Sequence, residues 1–476
     1  MDELGKRSQA GKPGLHVAMF SVHGLIRGDD LELGHDADTG GQTKYVIELA
    51  RALGKHPEVA RVDLVTRRID DLELSDDYAK PVEHLAEDVD LVRVQAGGDE
   101  YMRKELLWPH LEELADNAAR YFENGPGVPD VVHGHYPDAG EVAMRLAERW
   151  DRPFVFTGHS LGRNKRKVLR RAGMTSEEIE EQYHIGRRIE AEERALAKAR
   201  IVVASTRQEV EKGYELYDSA PKASFVVIPP GVDVDRFYPY FYDLDEGYEP
   251  EEDVVKARVR MRREISRFLR EPDKPVILAI SRPDRRKNIE GLVKAYGTDN
   301  ELRHLANLVI FAGVRGDIEQ MDDNEREVLT GLLLSMDKYD LYGRLALPKK
   351  HQPDTDIPVL YRLVAARRGV FVNPALVENF GITIIEASSS GLPVVSTDHG
   401  GPQEIIGKVG SGELIDARDT AAIQAAIKGI LVDREKWERY SENGIAGVRE
   451  HYSWRAHADK YVAALKRVLE AAPSPA

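Results

Sequence analysis

Cysteine is absent from this 476-residue chain, which excludes disulfides, thiolate catalysis and cysteine-ligated metals. Long apolar runs are also missing. No stretch approaches the roughly 20 apolar residues that span a bilayer, and MDELGKRSQAGKPG at the N-terminus has no apolar signal core. The expected location is therefore the cytoplasm, without a membrane partner. Positive charge is in deficit, with 67 basic against 82 acidic side chains and a formal net charge of -15, which argues against a general nucleic-acid binder. The G-x-G-x-x-G, P-loop and H-E-x-x-H signatures are all lacking. Short acidic patterns such as Asp354-Thr355-Asp356 are what an acidic chain produces by chance, and no metal site is assigned.

What remains is an ordinary globular composition, 42% hydrophobic and 31% charged, on a chain long enough for two or three domains. Apolar, β-branched runs recur as HVAMFSVHG, VDLVTRRI, VDLVRVQAG, DVVHGHY, PFVFTGHS, RIVVAST and SFVVIPPGV, with helical patterns between most of them. The second half repeats the scheme with PVILAISRPD, NLVIFAGV, GRLALP, GVFVNPAL, PVVSTDHGG and SGELID. Strands alternating with helices predict an α/β protein of two facing, Rossmann-like, doubly wound domains. The expected divisions are 1–235, 236–453 and a C-terminal helix in 454–476 that packs back towards the first domain, ending in a frayed APSPA tail. In open α/β sheets ligands bind beyond the carboxyl ends of the strands, so the active site is expected in the cleft between the domains.

The polar residues after the apolar runs are thus the candidates. Glu378-Asn379-Phe380-Gly381 leads into a helix carrying Glu386, an E-x7-E spacing behind a glycine hinge, and the first-turn amides of that helix suit phosphate. Gly40-Gly41-Gln42 opens another helix in the same way. His159 ends the run PFVFTGHS; a lone histidine is usually a structural hydrogen-bonder, but Arg163 and Lys165 follow within a few residues. Lys104 follows a Gly97-Gly98-Asp99 loop, and Arg188 lies on a helix expected to start near Ser176. Such cations from separate segments can converge on one phosphate. Arg282 and Lys287, five residues apart across a strand-to-helix turn, can clamp a diphosphate. Two basic segments stand out in the acidic background: Arg163 to Arg171, and Arg282 to Lys287.

Together HGLIRGDDLELGHDADTGGQTKYVIELARAL, TGHSLGRNK, QYHIGRRIEAEE, STRQE, IPPGV, SRPDRRKN, the E-x7-E pair, GLPVV and GGP resemble the retaining glycosyltransferases of family four, which share the glycosyltransferase B fold. The first two runs are the most specific and are most similar to the branch that makes sucrose 6-phosphate. The resemblance implies transfer of glucose from UDP-glucose to fructose 6-phosphate with retained configuration, by an acceptor-binding first domain and a nucleotide-sugar-binding second domain, with no cofactor and no required metal. It assigns donor contacts to Gly41, Arg282, Lys287, Glu378, Phe380, Gly381 and Glu386. Acceptor contacts fall to Gln42, Lys104, Lys165 and Arg188, and His159 lies near the anomeric centre. His159, Glu378, Arg282 and Lys287 form the expected catalytic set. Free fructose as acceptor, GDP-mannose or ADP-glucose as donor, and a silent sugar-phosphate sensor are the alternatives. Asn379 stands where the family commonly has proline, which is expected to alter the loop over the donor sugar. No phosphatase-like extension follows the transferase domains, so a separate phosphatase is the expected partner for the product.

Overall fold

The computed structural model describes residues 13–470 except 33–35, 37, 172, 246, 248 and 315; the APSPA tail lies outside the described residues. The chain forms two compact units. The first comprises residues 1–230 together with 457–476, and the second residues 231–456. Residues 231–235 therefore pack with the second unit.

The first unit is built on an eight-stranded sheet of β1 (Leu15–Phe20), β2 (Val59–Arg67), β3 (Val82–Ala86), β4 (Val89–Val94), β5 (Val131–His135), β6 (Phe154–Thr157), β7 (Ile201–Ala204) and β8 (Phe225–Val227), in the order β3-β4-β2-β1-β5-β6-β7-β8. All neighbours pair in parallel except β3 with β4. β3 is the one strand that the apolar runs do not announce. Its sequence VEHLA is half polar and partly exposed, as an antiparallel edge strand with one solvated face should be.

The second unit carries β9 (Val276–Ser281), β10 (Asn307–Ala312), β11 (Leu345–Ala346), β12 (Val370–Asn373), β13 (Val394–Thr397) and β14 (Gly412–Ile415), all parallel, in the order β11-β10-β9-β12-β13-β14. Its inner strands are apolar on both faces because both are covered, while the edge strand β14 carries Glu413 and the exposed Leu414. Ile277, Leu308, Ile310 and Val372 enter one core, while Leu278, Val309, Phe311 and Phe371 enter the other. That burial explains continuous apolar runs in place of alternation.

Each sheet has one switch point, where successive crossovers depart in opposite directions: between β1 and β5 in the first unit and between β9 and β12 in the second. Loops leaving the carboxyl ends of these strands are where such sheets bind ligands. No helix among the described residues is long and apolar enough to cross a membrane.

Candidate functional site

In the second unit the loops after β9 and β12 meet. Lys287 Nζ donates to Glu378 Oε2 at 2.7 Å, and Asn373 Nδ2 holds the same oxygen at 3.1 Å. The segment after Glu378 is pinned from behind: Glu378 N–H donates to the His399 carbonyl at 3.0 Å, and Gly401 N–H to the Glu378 carbonyl at 2.9 Å. A Cβ at Gly401 would lie 2.4 Å from the Phe380 carbonyl oxygen, so glycine is required for this close backbone packing. Gly381, at φ 103°, then turns the chain into the Ile382–Ser389 helix, whose N-terminus has neither a side-chain cap nor an acidic residue in its first turn. Phe380 packs against the core beside Tyr452, with ring centroids 6.4 Å apart. Glu386 lies on the same helix, with Tyr361 Oη 3.4 Å from its carboxylate.

The four cations after β9 divide sharply. Arg285 pairs with Glu327, Arg286 with Asp284 and Lys287 with Glu378. Arg282 is exposed, and its guanidinium makes no hydrogen bond or ion pair among the described residues, although Asp284 lies near enough to feel its charge. It is the cation left available to a ligand.

In the first unit, three cations from three segments, Lys104, Lys165 and Arg188, line one narrow pocket together with the acids Glu105 and Asp138, with Trp108, Tyr136 and Tyr183 as walls. Lys104 is set by Asp38, which accepts from its ammonium and, at 2.8 Å, from its backbone N–H. Arg188 is only 4% exposed. Its Nε donates to Glu192 at 3.0 Å, its Nη2 to the Ser160 carbonyl at 2.5 Å, and its guanidinium lies 4.4 Å from the Tyr136 ring centroid. Burial pushes the Glu192 carboxyl up, against the pull of Arg188. Lys165 has no carboxylate partner among the described residues. Its ammonium sits 3.9 Å from the Tyr183 ring centroid, and burial, with Lys104 and Arg188 adding like charge, brings its pKa down to about 8.

The Arg188 helix is not continuous from Ser176 as expected. A capping box at Thr175 starts a short helix, Ser176–Tyr183, and His184 at φ 45° breaks it before a second helix, Ile185–Lys198, begins. Tyr136 holds a rarer conformation, φ 79° and ψ 159°, a region that non-glycine residues occupy only under constraint.

Gln42 and Gly41 do not line this pocket; they lie at the start of the Gly41–Gly54 helix. Gln42 Nε2 donates to Ser21 Oγ at 3.1 Å, and a Cβ at Gly40 or Gly41 would meet nothing within 4 Å, so the loop is open on that side. The helix has no side-chain cap and no acid in its first turn; Thr43 N–H donates to the Gly40 carbonyl at 3.1 Å, which leaves the amides of Gly41 and Gln42 for a ligand. His159, at φ 54°, has its Nε2 3.0 Å from His135 Nδ1 and Tyr45 edge-on at 5.0 Å. Burial lowers its pKa to about 3, so it is neutral at physiological pH and acts as a hydrogen-bonding group.

Two family models match the chain: Glycosyltransferase Family 4 over residues 39–236 and Glycosyl transferases group 1 over residues 261–446. The chain belongs to the GT-B glycosyltransferases. Among its relatives is the sucrose-phosphate synthase of Zea mays, 41% identical over 94% of this chain and 47% of the maize protein. The chain spans about half the length of the curated relatives it matches. A solved sucrose-phosphate synthase from Thermosynechococcus elongatus is 26% identical, covers 96% of this chain and all of its own, and superposes with a TM-score of 0.66. HepE of Anabaena, solved in complex with UDP-glucose, shares the fold at 15% identity and a TM-score of 0.57 over 95% of this chain and 100% of its own. In this GT-B chain the family-four match covers the three-cation pocket, and the group 1 match covers the Arg282, Lys287 and Glu378 loops.

Asp38, Asn373, Glu192 and Tyr136 were not among the sequence candidates. Asp38 stands 66 positions from Lys104, and no local spacing connects the two. Tyr136 had one available signal: it follows His133-Gly134-His135 at the carboxyl end of β5, where this fold places ligand-facing residues.

Proposed function

We propose that the protein is a sucrose-phosphate synthase, transferring glucose from UDP-glucose to fructose 6-phosphate with retention to give sucrose 6-phosphate and UDP. The observation that carries the reading is the convergence of Lys104, Lys165 and Arg188 on one pocket. Lys104 pairs with Asp38 and Glu105 and Arg188 with Glu192, while Lys165 has no carboxylate in contact among the described residues; such a set of cations suits a phosphate better than an uncharged sugar.

In this reading Arg282 and Lys287 neutralise the diphosphate as the bond from the anomeric carbon to the UDP oxygen breaks. Glu378 holds a hydroxyl of the donor glucose, and Glu386 the ribose hydroxyls. The acceptor hydroxyl attacks from the face the diphosphate leaves and passes its proton to the departing phosphate oxygen, so no protein nucleophile is required. Neutral His159 adds a hydrogen bond near the anomeric centre without adding charge. Catalysis then rests on positioning and on charge stabilisation.

The test is an activity matrix of UDP-glucose, ADP-glucose and GDP-mannose against fructose and fructose 6-phosphate. UDP release is expected with UDP-glucose and fructose 6-phosphate. Faster turnover of free fructose, or none with any pair, would overturn the assignment.

A further inference from the structure

The Gly162–Arg171 helix, GRNKRKVLRR, contains six cations and no acid, in a chain with 82 acidic residues. Lys165 belongs to the phosphate pocket described above; the other five, with Leu216, line a separate groove of about 450 Å3. Arg163 is anchored there by Glu193 at 2.7 Å and Asp218 at 2.9 Å, and Arg170 donates to Ser176 Oγ at 2.7 Å. Arg166, Lys167 and Arg171 have no hydrogen-bond or ion-pair partner among the described residues.

Such an arrangement opposes the helix that carries it. Arg163 with Lys167, Arg166 with Arg170, and Lys167 with Arg171 are like-charged i,i+4 neighbours. Arg163 and Lys165 sit in the first turn, where the helix dipole favours anions. A helix of 10 residues has little intrinsic stability to set against this. A bound multivalent anion would satisfy the free cations and relieve the repulsion together.

We propose that this groove is a second anion-binding site, taking a small phosphate-bearing polyanion of the pyrophosphate class through Arg166, Lys167 and Arg171. It is separate from the acceptor pocket, but shares with it the helix that carries Lys165.

The test is calorimetric titration of inorganic pyrophosphate into the full chain at low salt. It compares the wild type, the triple variant Arg166→Ser, Lys167→Ser, Arg171→Ser, and Lys165→Ala. Uptake at Arg282 and Lys287 is common to all three, and uptake at the Lys104 and Arg188 pocket is common to the wild type and the triple variant; Lys165→Ala weakens only the latter. The wild type should bind one equivalent more than the triple variant, and that equivalent should weaken at least tenfold in high salt. Lys165→Ala should keep it. Identical isotherms for the wild type and the triple variant, or loss of the same equivalent in Lys165→Ala, would overturn the proposal. Thermal melting separates a ligand site from a structural one. Without anion the triple variant should melt at or above the wild-type temperature, and pyrophosphate should raise only the wild-type value by the groove's share. A triple variant that melts lower would mean that the cations are structural contacts and the proposal is wrong.

Discussion

Arg188 in the first unit and Arg282 in the second are both read as phosphate ligands, yet their surroundings are opposite. Arg188 is enclosed, with Glu192, Ser160 and the Tyr136 ring fixing its guanidinium before any ligand arrives. Arg282 is exposed and without an ion-pair partner among the described residues. A buried cation must be paired to be tolerated at all, and the pairing pre-orients it. In the proposed reading the acceptor side combines folding and recognition in the same residues, while the donor side keeps them apart. Lys287 is intermediate, paired with Glu378 but part-exposed.

The largest expected effect follows from breaking the enclosed pair. Arg188→Ala leaves Glu192 buried without its cation and should lower the unfolding free energy by about 3–5 kcal/mol, measured by urea denaturation. Lys287→Ala should act on turnover instead. Losing one charge-assisted contact to the diphosphate should lower kcat/KM for the donor about thirtyfold, or about 2 kcal/mol, while KM for the acceptor stays near the wild-type value.

A smaller effect should appear in the pH profile. With its pKa held near 8, Lys165 is charged below that pH and loses its proton above it. KM for fructose 6-phosphate should therefore rise as pH passes through about 8, approaching tenfold per unit. Lys165→Arg should abolish the rise, because a guanidinium stays protonated. The smallest effect belongs to Arg282→Ala, which should change stability by less than about 0.5 kcal/mol and show its loss only in donor kinetics. A stability loss there as large as that of Arg188→Ala would erase the contrast between the two sides.

Much of this could be read from residue order. Thirteen of the fourteen strands coincide with apolar runs, because most of them are parallel strands buried on both faces, which have to be apolar throughout. β3 escaped because an edge strand is under no such demand. The three cations of the acceptor pocket were nameable one by one, through family resemblance and the loops they occupy. Their counter-ions were not. Asp38 reaches Lys104 only through the fold, and Glu192 is one glutamate among several on its helix. The break at His184 likewise has no proline or glycine to announce it; a histidine at positive φ carries no local signature.

The chain enters the second unit at Gly231 and leaves it at Ala456. Val232 N–H donates to the Tyr452 carbonyl at 2.7 Å, and Val232 bridges Ser453. Entry and exit are therefore stitched together side by side, and the second unit is an insertion whose two ends already meet. Cutting the gene at these points would release a module with neighbouring termini, the arrangement that makes a domain portable. Residues 231–456 are accordingly a candidate for separate expression and for exchange, as a cassette, with the equivalent half of another member of the family.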